Sequence, residues 1–202
     1  MPKGRFGLDD LVDDLEALRA KLGIDRAHFA GHSLGGMIGP AYARRYADRV
    51  LSLGIYSTAA FRTEEDRNKV MAVIAAIREK GADQVYDTLT ARWFTDDFIA
   101  ERPEIVEQRK RQVLDTDQGV FMNVFEIYAG TEMGPWLHEI KVPSLVLTGE
   151  LDGGSSPTLA RQIAKALPNS ELVILEELKH AILIEASDRV APPVKAFLRK
   201  VS

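Results

Sequence analysis

The sequence predicts an α/β fold in which a mostly parallel sheet of about four strands carries helices and is interrupted by a long helical insertion. Three observations carry this. A short strand candidate, Ala27-His28-Phe29-Ala30, runs into the glycine-rich turn Gly31-His32-Ser33-Leu34-Gly35 and then into a helix. From about Thr63 to Glu139 helical periodicity dominates and no strand candidate interrupts it. After Pro143, strand and helix patterns alternate again to the end of the chain.

Leu8, Leu11, Leu15, Leu18 and Leu22 recur at spacings of three and four, which places one apolar stripe on a first helix that Gly23 stops. Its other face carries Asp9, Asp10, Asp13, Asp14 and Glu16, which reads as a solvated helix start favoured by the helix dipole rather than a cation site. Gly36 to Tyr46 reads as the helix after the glycine turn, and Val50 to Ser57 as a buried strand parallel to the first. In the insertion, Val70, Val73, Ile74 and Ile77 form one helical stripe and Val120, Phe121, Val124, Phe125 and Tyr128 another. Ser144 to Thr148 restores strand character, followed by a helix over Thr158 to Leu167, a strand over Glu171 to Leu175 and a last helix ending near Lys200. Pro192 and Pro193 predict that this last helix starts near Pro192 or is kinked there, because proline inside a helix removes a hydrogen bond. The resulting division is a first core part over 1–61, an insertion over 62–139 and a second core part over 140–202.

Composition narrows the function classes. With 202 residues, 46% hydrophobic and 28% charged, the chain has the make-up of an ordinary globular domain. The net charge is −4 and the basic residues are dispersed, which argues against a nucleic-acid partner. No apolar run is long enough for a membrane span and Met1 to Gly7 lacks the apolar core of a signal peptide, so a cytoplasmic location is the default expectation. Cysteine is absent, which removes disulfides, thiolate metal sites and a cysteine nucleophile together.

The pattern Gly-x-Ser-x-Gly between a strand and a helix is a nucleophile elbow, with Ser33 on the strained turn and its hydroxyl lifted into a cleft. The flanking glycines are expected where a Cβ would collide with backbone, and the Leu34 N–H at the helix start points to where an oxyanion forms. A serine hydroxyl needs a base, and the base needs an orienting acid. Asp152 follows the Leu145 to Thr148 strand and His180 follows the Leu172 to Leu175 strand, so both belong to the carboxyl edge of the sheet in the order Ser, Asp, His. Glu150 is the rival to Asp152. His28 lies inside a strand, His138 at the end of the insertion is expected to be exposed, and His32 cannot reach its neighbour's hydroxyl, although it can support the turn. The scattered histidines give no metal-ligand spacing, and a serine triad needs no cofactor.

With Gly-His-Ser-Leu-Gly-Gly, then Gly-Glu-Leu-Asp, then Lys-His-Ala-Ile-Leu-Ile-Glu, the sequence resembles the α/β-hydrolase fold family from about Leu8 to the C-terminus. The resemblance implies a triad of Ser33, Asp152 and His180, with residues 62–139 as a cap over the pocket. Gly-Met-Ile-Gly at 36–39 and Ala-Arg-Trp-Phe-Thr at 91–95 look like the enol-lactonase branch, of the type acting on 3-oxoadipate enol-lactone. Members normally begin with several strands and a His-Gly loop that supplies a second oxyanion donor, and this chain lacks them. The resemblance thus implies a partial α/β-hydrolase fold, corresponding to the later part of a complete hydrolase.

Two expectations follow. The Ala27 to Ala30 strand would be an unpaired, apolar sheet edge inviting homo-oligomerisation, and the Leu34 N–H would act without its usual companion donor. The expected substrate is a small ester or lactone, with Arg92, Trp93 and Trp136 as candidate substrate-binding residues and Arg92 the group suited to a carboxylate. For each aromatic of the insertion, Trp93 and Trp136 included, core packing is the stronger expectation, since Phe121, Phe125 and Tyr128 are spaced as one buried helix stripe. Serine at the nucleophile position disfavours dehalogenase and epoxide-hydrolase chemistry but leaves esterase, lactonase, C–C hydrolase and perhydrolase open. A catalytically idle remnant or a ligand-binding protein on the same scaffold is the competing class.

Overall fold

A computed structural model describes residues 4–202. Its element order is α1 (Leu8–Lys21), β1 (Ala27–His32), α2 (Gly35–Arg45) and β2 (Val50–Tyr56), then α3 (Glu64–Lys80), α4 (Ala82–Trp93), α5 (Asp96–Glu101), α6 (Pro103–Leu114) and α7 (Gln118–Gly130). After a 3₁₀ turn at Gly134–Glu139 come β3 (Ser144–Gly149), α8 (Pro157–Ala166), β4 (Ser170–Leu175), the short α9 (Ile182–Glu185) and α10 (Ser187–Val201). The four strands pair in the order β1-β2-β3-β4 and every pair is parallel. The turns that carry Ser33, Asp152 and His180 therefore all leave the sheet at the same, carboxyl, edge.

Side-chain alternation along the strands sorts the core onto two faces. Val146 packs with Leu53, Ile55, Met37 and Tyr42 on the face covered by α1, α2 and α8. Its neighbours Leu145 and Leu147 point the other way, to Leu175, Ile182, Val190 and Phe197 beneath α9 and α10. Because helices cover both faces, β3 is buried along its whole length, which is why its centre, Leu145-Val146-Leu147, is apolar without alternation. The insertion adds a third cluster of its own, in which Ile77, Val85, Tyr86, Leu89 and Val113 join α3, α4 and α6.

Two features depart from the sequence-based expectation or sharpen it. The last helix starts at Ser187, five residues ahead of Pro192, and contains both prolines. Arg189 and Val190 donate to the Ala186 carbonyl and fix the helix start, while the carbonyls that the prolines leave without a helical donor belong to the exposed Asp188 and Arg189. The acidic face of α1 is drawn into local bonds: Asp10 accepts from the Gly7 N–H, Asp13 pairs with Arg45, and Glu16 accepts from both Arg19 and the Tyr42 hydroxyl. Among the described residues β1 lies at one edge of the sheet, with His28 and Ala30 exposed. No described helix is long and apolar enough to cross a membrane.

Candidate active site

Ser33 sits between β1 and α2 with φ of 56°, in the left-handed region that L-residues other than glycine rarely enter. Its N–H donates to the Tyr56 carbonyl at 2.8 Å and its carbonyl accepts from Gly36 N–H at 3.0 Å, so the turn is tied to β2 and to the first turn of α2. The expected need for glycine divides unevenly between the two flanking positions. A Cβ at Gly31 would lie 2.1 Å from the Gly35 carbonyl oxygen, whereas one at Gly35 would meet nothing within 4 Å. The second constrained glycine is instead Gly36, where a Cβ would lie 2.8 Å from the Thr58 side chain. Leu34 caps α2, and no carbonyl among the described residues accepts its N–H, which leaves that donor free beside Ser33.

Asp152 and His180 come from the loops after β3 and β4. Asp152 is only 2% exposed; its Oδ2 accepts from His180 Nδ1 at 2.7 Å and its Oδ1 from the N–H groups of Gly154 and Ser155 at 3.0 and 2.8 Å. Burial alone would raise this carboxyl. The hydrogen bond and charge of His180, with the two amide donors, outweigh burial and hold it below the usual carboxylate value. A carboxylate at Nδ1 fixes the proton there and leaves the lone pair on His180 Nε2. Glu150, the alternative acid, turns away and accepts from the Glu177 N–H at 3.0 Å. Among the described residues no hydrogen bond joins Ser33 Oγ to His180.

The two loops are bound to one another by their backbones. Glu150 N–H donates to Leu175 O and Leu151 N–H to Leu178 O, both at 2.8 Å. Gly149 permits this approach, because a Cβ there would lie 2.2 Å from the Lys179 carbonyl oxygen and 2.3 Å from that of Leu178. The sequence shows Gly149 only as the first residue of Gly-Glu-Leu-Asp, without the backbone contact that requires it. Tyr128 adds a link from α7, its hydroxyl 2.8 Å from Ser155 Oγ.

His32, for which the sequence left support of the turn open, makes a longer-range contact. Its Nε2 lies 2.8 Å from the His180 carbonyl oxygen and its ring centroid 4.8 Å from that of His180. Burial, with the nearby charges of His180 and Arg109, pushes the His32 imidazole down to about 4. It is therefore neutral near pH 7, and facing a carbonyl its Nε2 carries the proton and donates.

These residues open on one cleft of about 830 Å³ roofed by the insertion. Ser33, Leu34, Asp152 and His180 line it, as do Arg92 and Trp93. Phe121, Phe125 and Tyr128 line it while also packing on the core clusters, so the two roles considered for them coexist. Trp136 does not line it; that ring packs on the main core under the Arg44 guanidinium, 5.1 Å from its centroid. His138 is exposed and His28 Nδ1 lies 2.8 Å from Ser52 Oγ, both away from the cleft. Sequence reasoning missed Arg109, which lines the cleft, stands 5.7 Å from the Trp93 centroid and donates to Gln112, with no carboxylate partner among the described residues.

The family model for the alpha/beta hydrolase fold matches residues 1–187. The chain belongs to that family. It is 28% identical over 199 residues to 3-oxoadipate enol-lactonase 2 of Acinetobacter baylyi, a match covering 98% of this chain and 73% of that protein. Among solved structures it is similar to the enol-lactonase of Burkholderia xenovorans LB400, with a TM-score of 0.88 at 30% identity over 98% of this chain and 75% of that one. It is also similar to a thermophilic esterase of Thermogutta terrifontis, with a TM-score of 0.87 at 25% identity over 100% of this chain and 75% of that one. Family and likeness together support hydrolase activity.

Proposed function

We propose that this chain hydrolyses a small carboxylic ester or lactone through an acyl-enzyme, with Ser33 as nucleophile, His180 as base and Asp152 as its orienting acid. Ser33 Oγ attacks the substrate carbonyl while His180 Nε2 takes the hydroxyl proton, and the charge developing on oxygen is met by the Leu34 N–H. The tetrahedral intermediate collapses with departure of the alcohol, which receives the proton from His180; in a lactone that alcohol remains attached to the acyl group. Water, deprotonated by His180, then attacks the acyl-serine, and the proton returns to Ser33 as the acid leaves. The observation that carries this reading is the buried Asp152–His180 bond of 2.7 Å on the floor of the cleft that also exposes Ser33.

Residues 62–139 act in this reading as a cap that roofs the cleft, and Arg92 and Arg109 supply positive charge for a carboxylate on the substrate. The A. baylyi and B. xenovorans enol-lactonases support a lactone in particular, and the T. terrifontis esterase a simple ester. The test is hydrolysis of short p-nitrophenyl esters and of a lactone panel. Turnover should disappear in Ser33→Ala and fall by roughly 10⁴-fold or more in His180→Ala. Hydrolysis that survives Ser33→Ala undiminished would refute the assignment.

A second reading, a catalytically weak chain or a ligand-binding protein on the same scaffold, is favoured by the missing Ser33–His180 hydrogen bond. Such bonds often form only once substrate is bound, so this observation weighs less than the buried acid–histidine pair. Ligand binding without turnover, undiminished in Ser33→Ala, would favour this reading.

A further inference from the structure

The junction between α4 and α5 of the insertion lies against the loop that carries His180, and polar links bracket that histidine on both sides. Ala181 N–H donates to the Trp93 carbonyl at 2.8 Å. Lys179 Nζ reaches the Ala91 carbonyl at 2.9 Å and Asp96 Oδ1 at 3.0 Å. The Glu185 carboxylate, on α9, accepts from the Thr95 N–H at 3.1 Å through Oε2 and from the Thr95 hydroxyl through Oε1. The same hydroxyl accepts from Phe98 N–H at 3.2 Å, so one side chain both starts α5 and grips α9. From the sheet side, His32 holds the His180 carbonyl.

We propose that Glu185 and Thr95 are positioning residues: their two-bond clamp couples the helical insertion to the His180 loop, so that the base is correctly placed only while the insertion is seated over the cleft. This rests on the reading of His180 as the base. The charged carboxylate makes the clamp's bonds stronger than neutral ones, and both members are half-buried, where water competes less. The stretch that carries Thr95 also carries Arg92 and Trp93 of the cleft lining, so a substrate pressing on that wall acts on the histidine loop through a path of four residues. Displacing a reacting group by about 1 Å costs up to about 10²-fold in rate, so loss of the clamp should register in kcat.

The test compares the wild-type chain with Glu185→Gln, Thr95→Val, Thr95→Ser and the double variant Thr95→Val/Glu185→Gln. Hydrogen exchange needs no substrate: Glu185→Gln and Thr95→Val should both speed exchange of the Ala181 amide and of residues 91–96 together, with the sheet amides unchanged. On p-nitrophenyl acetate both should lower kcat by about 10- to 100-fold with KM nearly constant. Thr95→Ser, which keeps the hydroxyl, should restore kcat, and the double variant should be no slower than the slower single one. Unaltered Ala181 exchange in both single variants would overturn the coupling, as would a rise in KM with kcat intact or losses that simply multiply in the double variant. Absence of wild-type turnover would count against the proposed function alone, since the exchange measurement judges the clamp without it. Glu185→Gln preserves size and Thr95→Val shape, so at least one remains interpretable if the other fails to fold.

Discussion

Sterics shape the Ser33 turn, whereas hydrogen bonds between two loops hold the Asp152–His180 pair. At the turn, Ser33 takes φ of 56°, and Gly31 lets the chain pass within 2.1 Å of where a Cβ would stand. Nothing there can relax without moving β1 or α2. In the pair, the acid receives three hydrogen bonds and the loops exchange backbone bonds at Glu150 and Leu151, while Gly149 marks the one point of forced contact. Loops of this kind can give way by small shifts. A misplaced Ser33 is therefore expected to be a failure of folding, and a misplaced His180 a failure of rate.

Gly31→Ala is the hardest test of this difference. Its added methyl must displace backbone, so a loss of about 3 kcal/mol or more in chemical denaturation is expected, or no folded protein at all. Gly35→Ala, with nothing within 4 Å, should leave stability within about 1 kcal/mol of wild type. Equal losses in the two would break the steric account of the turn. Gly149→Ala comes next: the Leu178–Lys179 backbone must retreat from Asp152, so hydrolysis should fall by about 10²-fold while the chain still unfolds cooperatively. Wild-type turnover in that variant would show the loop contact to be incidental.

A gentler perturbation is pH. His32 has an ordinary value of 6.5 and is held near 4 in the folded chain, so the unfolded state takes up a proton that the folded state refuses. Stability should therefore begin to fall below about pH 6.5 and continue to about pH 4, at no more than about 1.4 kcal/mol per pH unit. Asp152 adds a later loss of the same sign, because its lowered carboxyl stabilises the fold above the ordinary value and stops doing so as the pH falls through the folded one. Denaturation of His32→Asn between pH 7 and pH 4.5 should show a shallower slope than wild type; parallel slopes would contradict this account. The smallest effect expected is self-association through β1. Wild-type chain well above micromolar should elute partly as a dimer, and Ala30→Lys should shift it to monomer. A single sharp monomer peak for the wild type would remove that idea.

The same contrast explains what the sequence could disclose. The Ser33 turn is local, built from five consecutive residues between a strand and a helix, and its glycine pattern is visible without the fold. The strands were legible for a similar reason, since burial on both faces makes β2 and β3 predominantly apolar, as in Leu145-Val146-Leu147. Asp152 and His180 were placed by their position after strands, with Asp152 favoured over Glu150; the bonds that separate the two acids, Asp152 to His180 and Glu150 to the Glu177 N–H, appear where the loops meet. Gly149, His32 and Glu185 stand inside the motifs that carry the family resemblance and Arg109 outside them, but the contact each makes is with a segment remote in the sequence, so the motifs do not disclose it. Trp136 shows the converse: it was a candidate for the pocket lining, and the core packing expected more generally of the insertion's aromatics is what its turn makes, against the main core. The start of α10 was obscured because Pro192 and Pro193 signal a boundary, whereas the bonds to the Ala186 carbonyl set it earlier.

The central claim is that Ser33 is a nucleophile activated by His180 and Asp152. Its most direct measurement is reaction with a fluorophosphonate probe, located by peptide mass spectrometry. One adduct is expected, on Ser33, absent in Ser33→Ala and formed far more slowly in His180→Ala. A well-folded wild-type chain that takes up no probe, or takes it up on another residue, would contradict it.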